Sequence, residues 1–271
     1  MDSASAARVR QRHHVQVHGE GPTLVYAHGF GCSQGMWDGV TPYFAATHRQ
    51  VLFDYAGAGR ADPMAFDPRR HAQLEGYAED LVDVVRAVAP PEGVVLVAHS
   101  VSCSIGMIAA RREPALFRDL ILIGPNPCFV NHPPDYVGGF ERRDLAGLLD
   151  LMERNFLGWS STLAPIVAGE GGAGGVATRL EASFCSTDPV AARIFAAATF
   201  YADNRADVAH VTTPALILQH RHDALAPLTV GRWLQAHLPD ARLEVLDVAG
   251  HCGHMSHPAL VAEAMRRRFG G

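Results

Sequence analysis

Between residues 94 and 102 the chain reads Val94-Val95-Leu96-Val97-Ala98-His99-Ser100-Val101-Ser102, an aliphatic run that ends abruptly in small hydroxyl-bearing residues. A run this short, with no polar alternation, is expected of a strand buried on both faces, as in a parallel sheet covered by helices. Residues 105–110 then read as helix, which places Ser100 on the turn between strand and helix. So sharp a turn presses the backbone against its neighbours and needs small side chains two residues either side of the serine. Ala98 and Ser102 stand there, where the common pattern has glycines. Taken alone, the motif also fits a serine capping a helix N-terminus, so its meaning depends on what else the chain supplies.

Short β-branched runs and longer segments of helical spacing alternate through the chain, as expected of an α/β fold with a mostly parallel sheet flanked by helices. Strands are predicted at 15–17, 24–27, 51–54, 94–98, 120–123, 216–219 and 243–246. Leu74, Tyr77, Ala78, Leu81, Val84, Val85 and Val88 recur at three and four, an amphipathic helix stopped by Pro90 and Pro91. Trp233, Leu234, His237 and Leu238 suggest another helix, and 260–269 the last. The alternation lapses after Pro127 and resumes at Thr213-Pro214. The residues between are rich in Leu, Ala, Phe and Met without a convincing strand, so we expect a helical lid at 129–207 inserted into a core of 1–128 and 208–271. The glycine-rich stretch 169–175 has no following Lys-Ser/Thr and no preceding strand, and reads as a flexible connection rather than a phosphate loop.

Composition removes several chemistries. All 23 basic residues are arginine, so Schiff-base, pyridoxal-phosphate and phosphate-loop lysine chemistry are excluded. A formal charge of -5 gives no basic field for nucleic acid or an anionic membrane, and a small-molecule or protein partner is expected instead. The stretch 93–110 lacks formal charge and has the length of a membrane span, but its centre is too polar for one. Cys32, Cys103, Cys128, Cys185 and Cys252 are odd in number and widely spaced, with no C-x-x-C pair. That argues against a disulfide framework and fits a reducing cytoplasm. The N-terminal residues lack the apolar core of a secretory signal, so export is not expected.

A serine hydroxyl is a weak nucleophile at neutral pH. It needs an imidazole to take its proton and a carboxylate to hold that ring in the right tautomer. Asp223 follows the strand at 216–219 and His251 the strand at 243–246, giving the chain order serine, acid, histidine that this architecture requires. Both lie just past the carboxyl end of a strand, where open α/β sheets place their sites. A tetrahedral oxyanion needs backbone N–H donors. Val101 supplies one, and His28-Gly29-Phe30-Gly31, after the strand at 24–27, forms a tight loop able to aim the Phe30 N–H at the same point.

His28-Gly29-Phe30-Gly31-Cys32, Phe53-Asp54-Tyr55 with Gly57 and Gly59, His99-Ser100-Val101, and Gly250-His251-Cys252 with His254-Met255-Ser256-His257-Pro258 resemble the α/β-hydrolase fold family. Within it the chain is similar to the RsbQ-type bacterial stress-regulator hydrolases and to the plant karrikin and strigolactone receptors. The more specific part is the insertion: Tyr136-Val137-Gly138-Gly139-Phe140-Glu141, Asn155 with Gly158-Trp159, and Phe184-Cys185-Ser186-Thr187-Asp188-Pro189. The resemblance spans the chain from about residue 13 onward and implies Ser100 as nucleophile, Asp223 as acid, His251 as base, and Phe30 and Val101 as oxyanion donors. Ala98, Ser102 and the run His220-Arg221-His222 depart from the family pattern and bear on turn geometry and local charge.

Other features read more plainly. His251, Cys252, His254 and His257 fit no common zinc spacing, so no metal and no cofactor is expected; His220 and His222 read as strand-end residues near the acid. Gly57-Ala58-Gly59 lacks the third glycine of a dinucleotide fingerprint and reads as a strand-end turn. Arg266-Arg267-Arg268 reads as a solvated helix end. Among the aromatics of the insertion, Phe129, Trp159 and Phe195 are expected to join Phe30 in an apolar substrate cavity over Ser100.

The expected activity is hydrolysis of a small hydrophobic ester or lactone through an acyl-enzyme. The alternative implied by the resemblance is a signalling protein that binds or slowly hydrolyses a hydrophobic compound and engages a regulatory PAS-containing phosphatase. Aspartate-dependent dehalogenation is disfavoured by the serine at position 100.

Overall fold

The computed structural model describes residues 1–90, 92–169 and 175–270; Pro91 and the middle of the glycine-rich stretch read as a connection lie outside the described residues. Among the described residues seven strands form one sheet in the order β1-β3-β2-β4-β5-β6-β7. They are β1 (Gln16–His18), β2 (Thr23–Ala27), β3 (Arg49–Leu52), β4 (Val94–His99), β5 (Phe117–Ile123), β6 (Ala215–His222) and β7 (Ala241–Ala249). β1 runs antiparallel to β3 and every other pairing is parallel. All seven predicted strands are present, with ends shifted by a few residues. β2 and β4 are buried along their whole length, as their uninterrupted aliphatic sequences require.

Helices cover both faces. α1 (Ser3–Arg12) packs on α2 (Leu74–Val88), and α3 (Val101–Arg112) packs beside α2. The sequence reading missed α1, whose composition is polar; its N-terminus is capped by Asp2, and Val9 is its buried residue. α2 ends at Val88, just before Pro90, and buries the stripe read from its spacing. The charge-free stretch 93–110, long enough on paper to cross a bilayer, is split between β4 and α3, and no described helix is long and apolar enough to do so.

Between β5 and β6, after an irregular stretch at 124–141, the described residues form the helices α4 (Arg142–Arg154), α5 (Phe156–Ala168), α6 (Val176–Ser186), α7 (Pro189–Phe200) and the short α8 (Arg205–Val208). Asn126 anchors the start of this insertion. Its amide donates to the carbonyls of Gly138 and Leu225, while the Tyr136 hydroxyl, with one proton to share, lies 2.8 Å from both the Asn126 carbonyl oxygen and the Cys128 carbonyl. After β6 come α9 (Leu228–His237), β7, α10 (Gly253–Ser256) and α11 (Pro258–Phe269). Of the arginines ending α11, Arg266 and Arg267 are exposed, while Arg268 is half-buried and pairs with Asp119 of β5 at 2.7 Å.

The turn after β3 wraps the Asp54 carboxylate, which accepts from the N–H groups of Gln34 (2.7 Å) and Arg60 (2.9 Å). A Cβ at Gly59 would lie 2.4 Å from the Asp54 carboxyl carbon, so this glycine serves a carboxylate-filled turn.

Candidate active site

Parallel strands send their carboxyl ends to one edge of the sheet, and three loops meet there. Ser100 follows β4 directly, with φ 58° and ψ -125°, a conformation that disfavours any residue with a Cβ and costs of order 1–3 kcal/mol. Two bonds hold it: the Ser100 N–H donates to the Ile123 carbonyl at 2.9 Å, and the Cys103 N–H donates to the Ser100 carbonyl at 2.9 Å. The flanking side chains fit. Ala98 is buried between Ala27 and Leu122 on the neighbouring strands, and the Ser102 hydroxyl donates to the carbonyl of His28. The turn therefore forms without the two usual glycines.

The Ser100 hydroxyl donates to Nε2 of His251 at 2.8 Å, and Nδ1–H of His251 donates to Oδ2 of Asp223 at 2.8 Å. Asp223 lies at the turn after β6, where Oδ1 accepts from the N–H groups of Leu225 (2.9 Å) and Ala226 (3.0 Å). Burial alone would raise the pKa of this carboxyl. The charge and hydrogen bond of His251, joined by His220 at 3.7 Å, reverse that and hold it well below the usual carboxylate range. The His251 N–H donates to the Val167 carbonyl at 2.8 Å, tying the loop after β7 to α5. Gly124 was not singled out from sequence. Its φ is 58°, and a Cβ there would approach Cε1 of His251 to 3.2 Å, so the chain passes under the imidazole at this point.

The structure thus brings Ser100, His251 and Asp223 together. It also brings the Phe30 loop to them, since a Cβ on Gly29 would sit 3.4 Å from Cβ of Ser100. Among the described residues neither the Phe30 N–H nor the Val101 N–H has an acceptor, so both are available to an oxyanion. Val101 is also the first residue of α3, where the helix dipole favours negative charge.

Ser100 and His251 line a small cavity. Its walls are largely apolar: Phe30, Phe129, Leu163, Phe184, Phe200 and Leu225, with Thr199 adding a hydroxyl. Cys32 and Cys252 also line it. Burial pushes the Cys32 thiol up to about 12 and that of Cys252 well above its usual value, so neither thiol competes with Ser100 as a nucleophile at neutral pH.

Two expected wall residues are corrected. Trp159 and Phe195 do not line the cavity; they meet Phe30 edge-on at ring-centroid distances of 6.0 and 5.6 Å. Each lies on the stripe of its helix that faces inward, but one turn before the residue that reaches the cavity, Leu163 on α5 and Thr199 on α7. One turn is ~5.4 Å, enough to put the Phe30 ring between them and the space over Ser100. The sequence reading missed Leu163, Val167, Leu180, Phe184 and Thr199 as wall residues. Their helical spacing marked a buried face without saying what it faces.

The histidines after β7 do not converge. His251 is engaged as above, His254 is buried against Trp37 and His99, and His257 is exposed beside Ser256. Among the described residues the group able to converge on an ion is Cys128, His132 and Asp203, whose ligand atoms lie within 4.8 Å of one another. There the Asp203 carboxylate already accepts from Arg205 at 2.8 and 2.6 Å, and none of the three lines the cavity.

Comparison with known proteins agrees with this architecture. A family model described as the alpha/beta hydrolase family matches residues 24–264. A protein named as a probable esterase from Oryza sativa subsp. japonica is 36% identical over 96% of this chain and 97% of its own length. The karrikin insensitive 2 receptor CA of Petunia hybrida is 34% identical over 96% and 97%. The solved structure of a hydrolase from Oleispira antarctica superposes with a TM-score of 0.94 at 39% identity, covering 97% of this chain and 96% of that one.

Proposed function

The chain belongs to the alpha/beta hydrolase family, and on that footing we propose that it is a cofactor-independent serine hydrolase of small hydrophobic esters or lactones. The observation that carries this reading is the unbroken chain from Ser100 through His251 to Asp223, with both links at 2.8 Å and the serine end open to an apolar cavity. The Ser100 oxygen attacks the ester carbonyl while its proton passes to Nε2 of His251, and Asp223 stabilises the imidazolium. The developing oxyanion is held by the N–H groups of Phe30 and Val101, each worth roughly 3 kcal/mol at the transition state. Collapse breaks the bond to the leaving alcohol, which takes the proton from His251. Water, deprotonated by the same imidazole, then attacks the acyl carbonyl and frees Ser100. In this reading α4 to α7 act as the lid, and the aromatics they share with Phe30 favour an apolar acyl group.

Ser100→Ala should abolish turnover of p-nitrophenyl butyrate and labelling by a fluorophosphonate probe. Labelling that persists in the folded variant overturns the assignment.

A second reading, ligand sensing with slow turnover, is favoured by the small apolar cavity and by a relative named as a receptor. A receptor holds its ligand or product, so its acyl-enzyme should accumulate in a burst followed by slow release. Sustained turnover without a burst, and with no regulator such as a phosphatase captured by the loaded protein, favours the plain hydrolase.

A further inference from the structure

His99 precedes the proposed nucleophile and is 2 % exposed. Its Nε2 lies 3.0 Å from the backbone carbonyl of His251. A carbonyl only accepts, so Nε2 carries the proton and the hydrogen bond fixes the ring's tautomer. The ring also packs against that of His251 at 4.8 Å and that of His254 at 4.3 Å. Its other edge faces the loop that carries Phe30: a Cβ on Gly29 would fall 2.6 Å from Nδ1 of His99. One imidazole thus touches both loops that must converge on Ser100, donating to the first and excluding any side chain from the second. Burial and the neighbouring His254 and His251 hold the His99 pKa well below its usual value, so at neutral pH the ring is uncharged and its contacts depend on shape and on one donated hydrogen bond.

We propose that His99 is a positioning residue: its Nε2–H fixes the backbone of His251, and its ring sets the spacing between the His251 loop and the Gly29-Phe30 loop. The proposal rests on the reading of Ser100 and His251 as nucleophile and base, and it adds what aims them. His99 also borders the cavity, but in this role it acts through the His251 and Gly29-Phe30 loops and moves no proton.

The test compares His99→Leu, which keeps the volume and removes the donor, with His99→Gln, which can return an N–H to the His251 carbonyl. With p-nitrophenyl butyrate, His99→Leu should lower kcat by ~10–100-fold with little change in KM, the loss expected when reacting groups are misplaced by about an ångström. His99→Gln should recover most of that loss. As a readout independent of turnover, the low-field proton resonance of the His251 Nδ1–H bond to Asp223 should shift in His99→Leu and return in His99→Gln. Where His99→Leu does not fold, Gly29→Ala presses on the same ring from the other side and should shift the same resonance. A folded His99→Leu protein with unchanged kcat and resonance overturns the proposal, as does a His99→Gln protein no better than His99→Leu. If the wild type shows no Ser100-dependent turnover, the hydrolase reading fails, and the resonance still decides whether His99 positions His251.

Discussion

The Ser102 hydroxyl donates its hydrogen bond to the backbone carbonyl of His28, tying the first turn of α3 to the loop that leads to Phe30. Ser102 is fully buried, so removing the donor leaves a carbonyl desolvated and unpaired. Ser102→Ala should therefore cost about 1–3 kcal/mol of stability, read as a lowered midpoint in urea at unchanged slope. Ester turnover should fall with it, because the Phe30 loop loses its tie. An unchanged midpoint would show that the bond is not retained in solution.

Asp223→Asn should lower kcat by about four orders of magnitude while the protein stays folded. The N–H groups of Leu225 and Ala226 point at Oδ1, so the substituted side chain must keep its oxygen there and turn its NH₂ toward His251. Two donors then face one another unless His251 moves its proton to Nε2, and in that tautomer it cannot accept from Ser100. A variant within tenfold of wild type would contradict this.

Stability should fall on acidification below about pH 6.5. Burial lowers the pKa of His13, His28, His99 and His254 below the ordinary 6.5. In the window beneath 6.5 the unfolded chain therefore binds more protons than the folded one. Their contribution is intact above that pH and is lost as pH drops through the window. Asp223, whose folded pKa is depressed, adds a further loss only below its unfolded value near 3.8. Urea titrations from pH 8 to pH 5 should show the slope, and His254→Gln should flatten it. A midpoint independent of pH across that range contradicts the argument.

Phe184→Leu should shift preference toward longer acyl chains, raising kcat/KM for p-nitrophenyl octanoate relative to the acetate, because Phe184 forms part of the cavity wall. Trp159→Phe should leave that ratio nearly unchanged, since Trp159 lies behind Phe30. A larger shift from Trp159→Phe would return Trp159 to the wall.

Much of this was legible in the chain. β4 announced itself by aliphatic residues on both faces, and the positions of Asp223 and His251 after later strands followed from one rule, that parallel strands deliver their carboxyl ends to one edge. Other parts were not. α1 is held by its cap and by packing on α2, and neither shows as strong hydrophobic periodicity. Gly124 lies far from Ser100 and His251 in sequence, and only its closeness to the imidazole gives it meaning.

What the sequence determined by itself was the succession of strands, the helices of strong periodicity and the residue types able to supply a nucleophile, a base and an acid, because burial patterns and turn chemistry are local. What only the tertiary structure decided was which side chains share a surface. Trp159 and Leu163 occupy one stripe of α5, yet only Leu163 reaches the cavity. The donated bond from His99 to the His251 carbonyl joins residues 152 positions apart. Contacts of that kind depend on how helices seat on the sheet to within a single turn, a distance set by the packing of the whole core and by no segment alone.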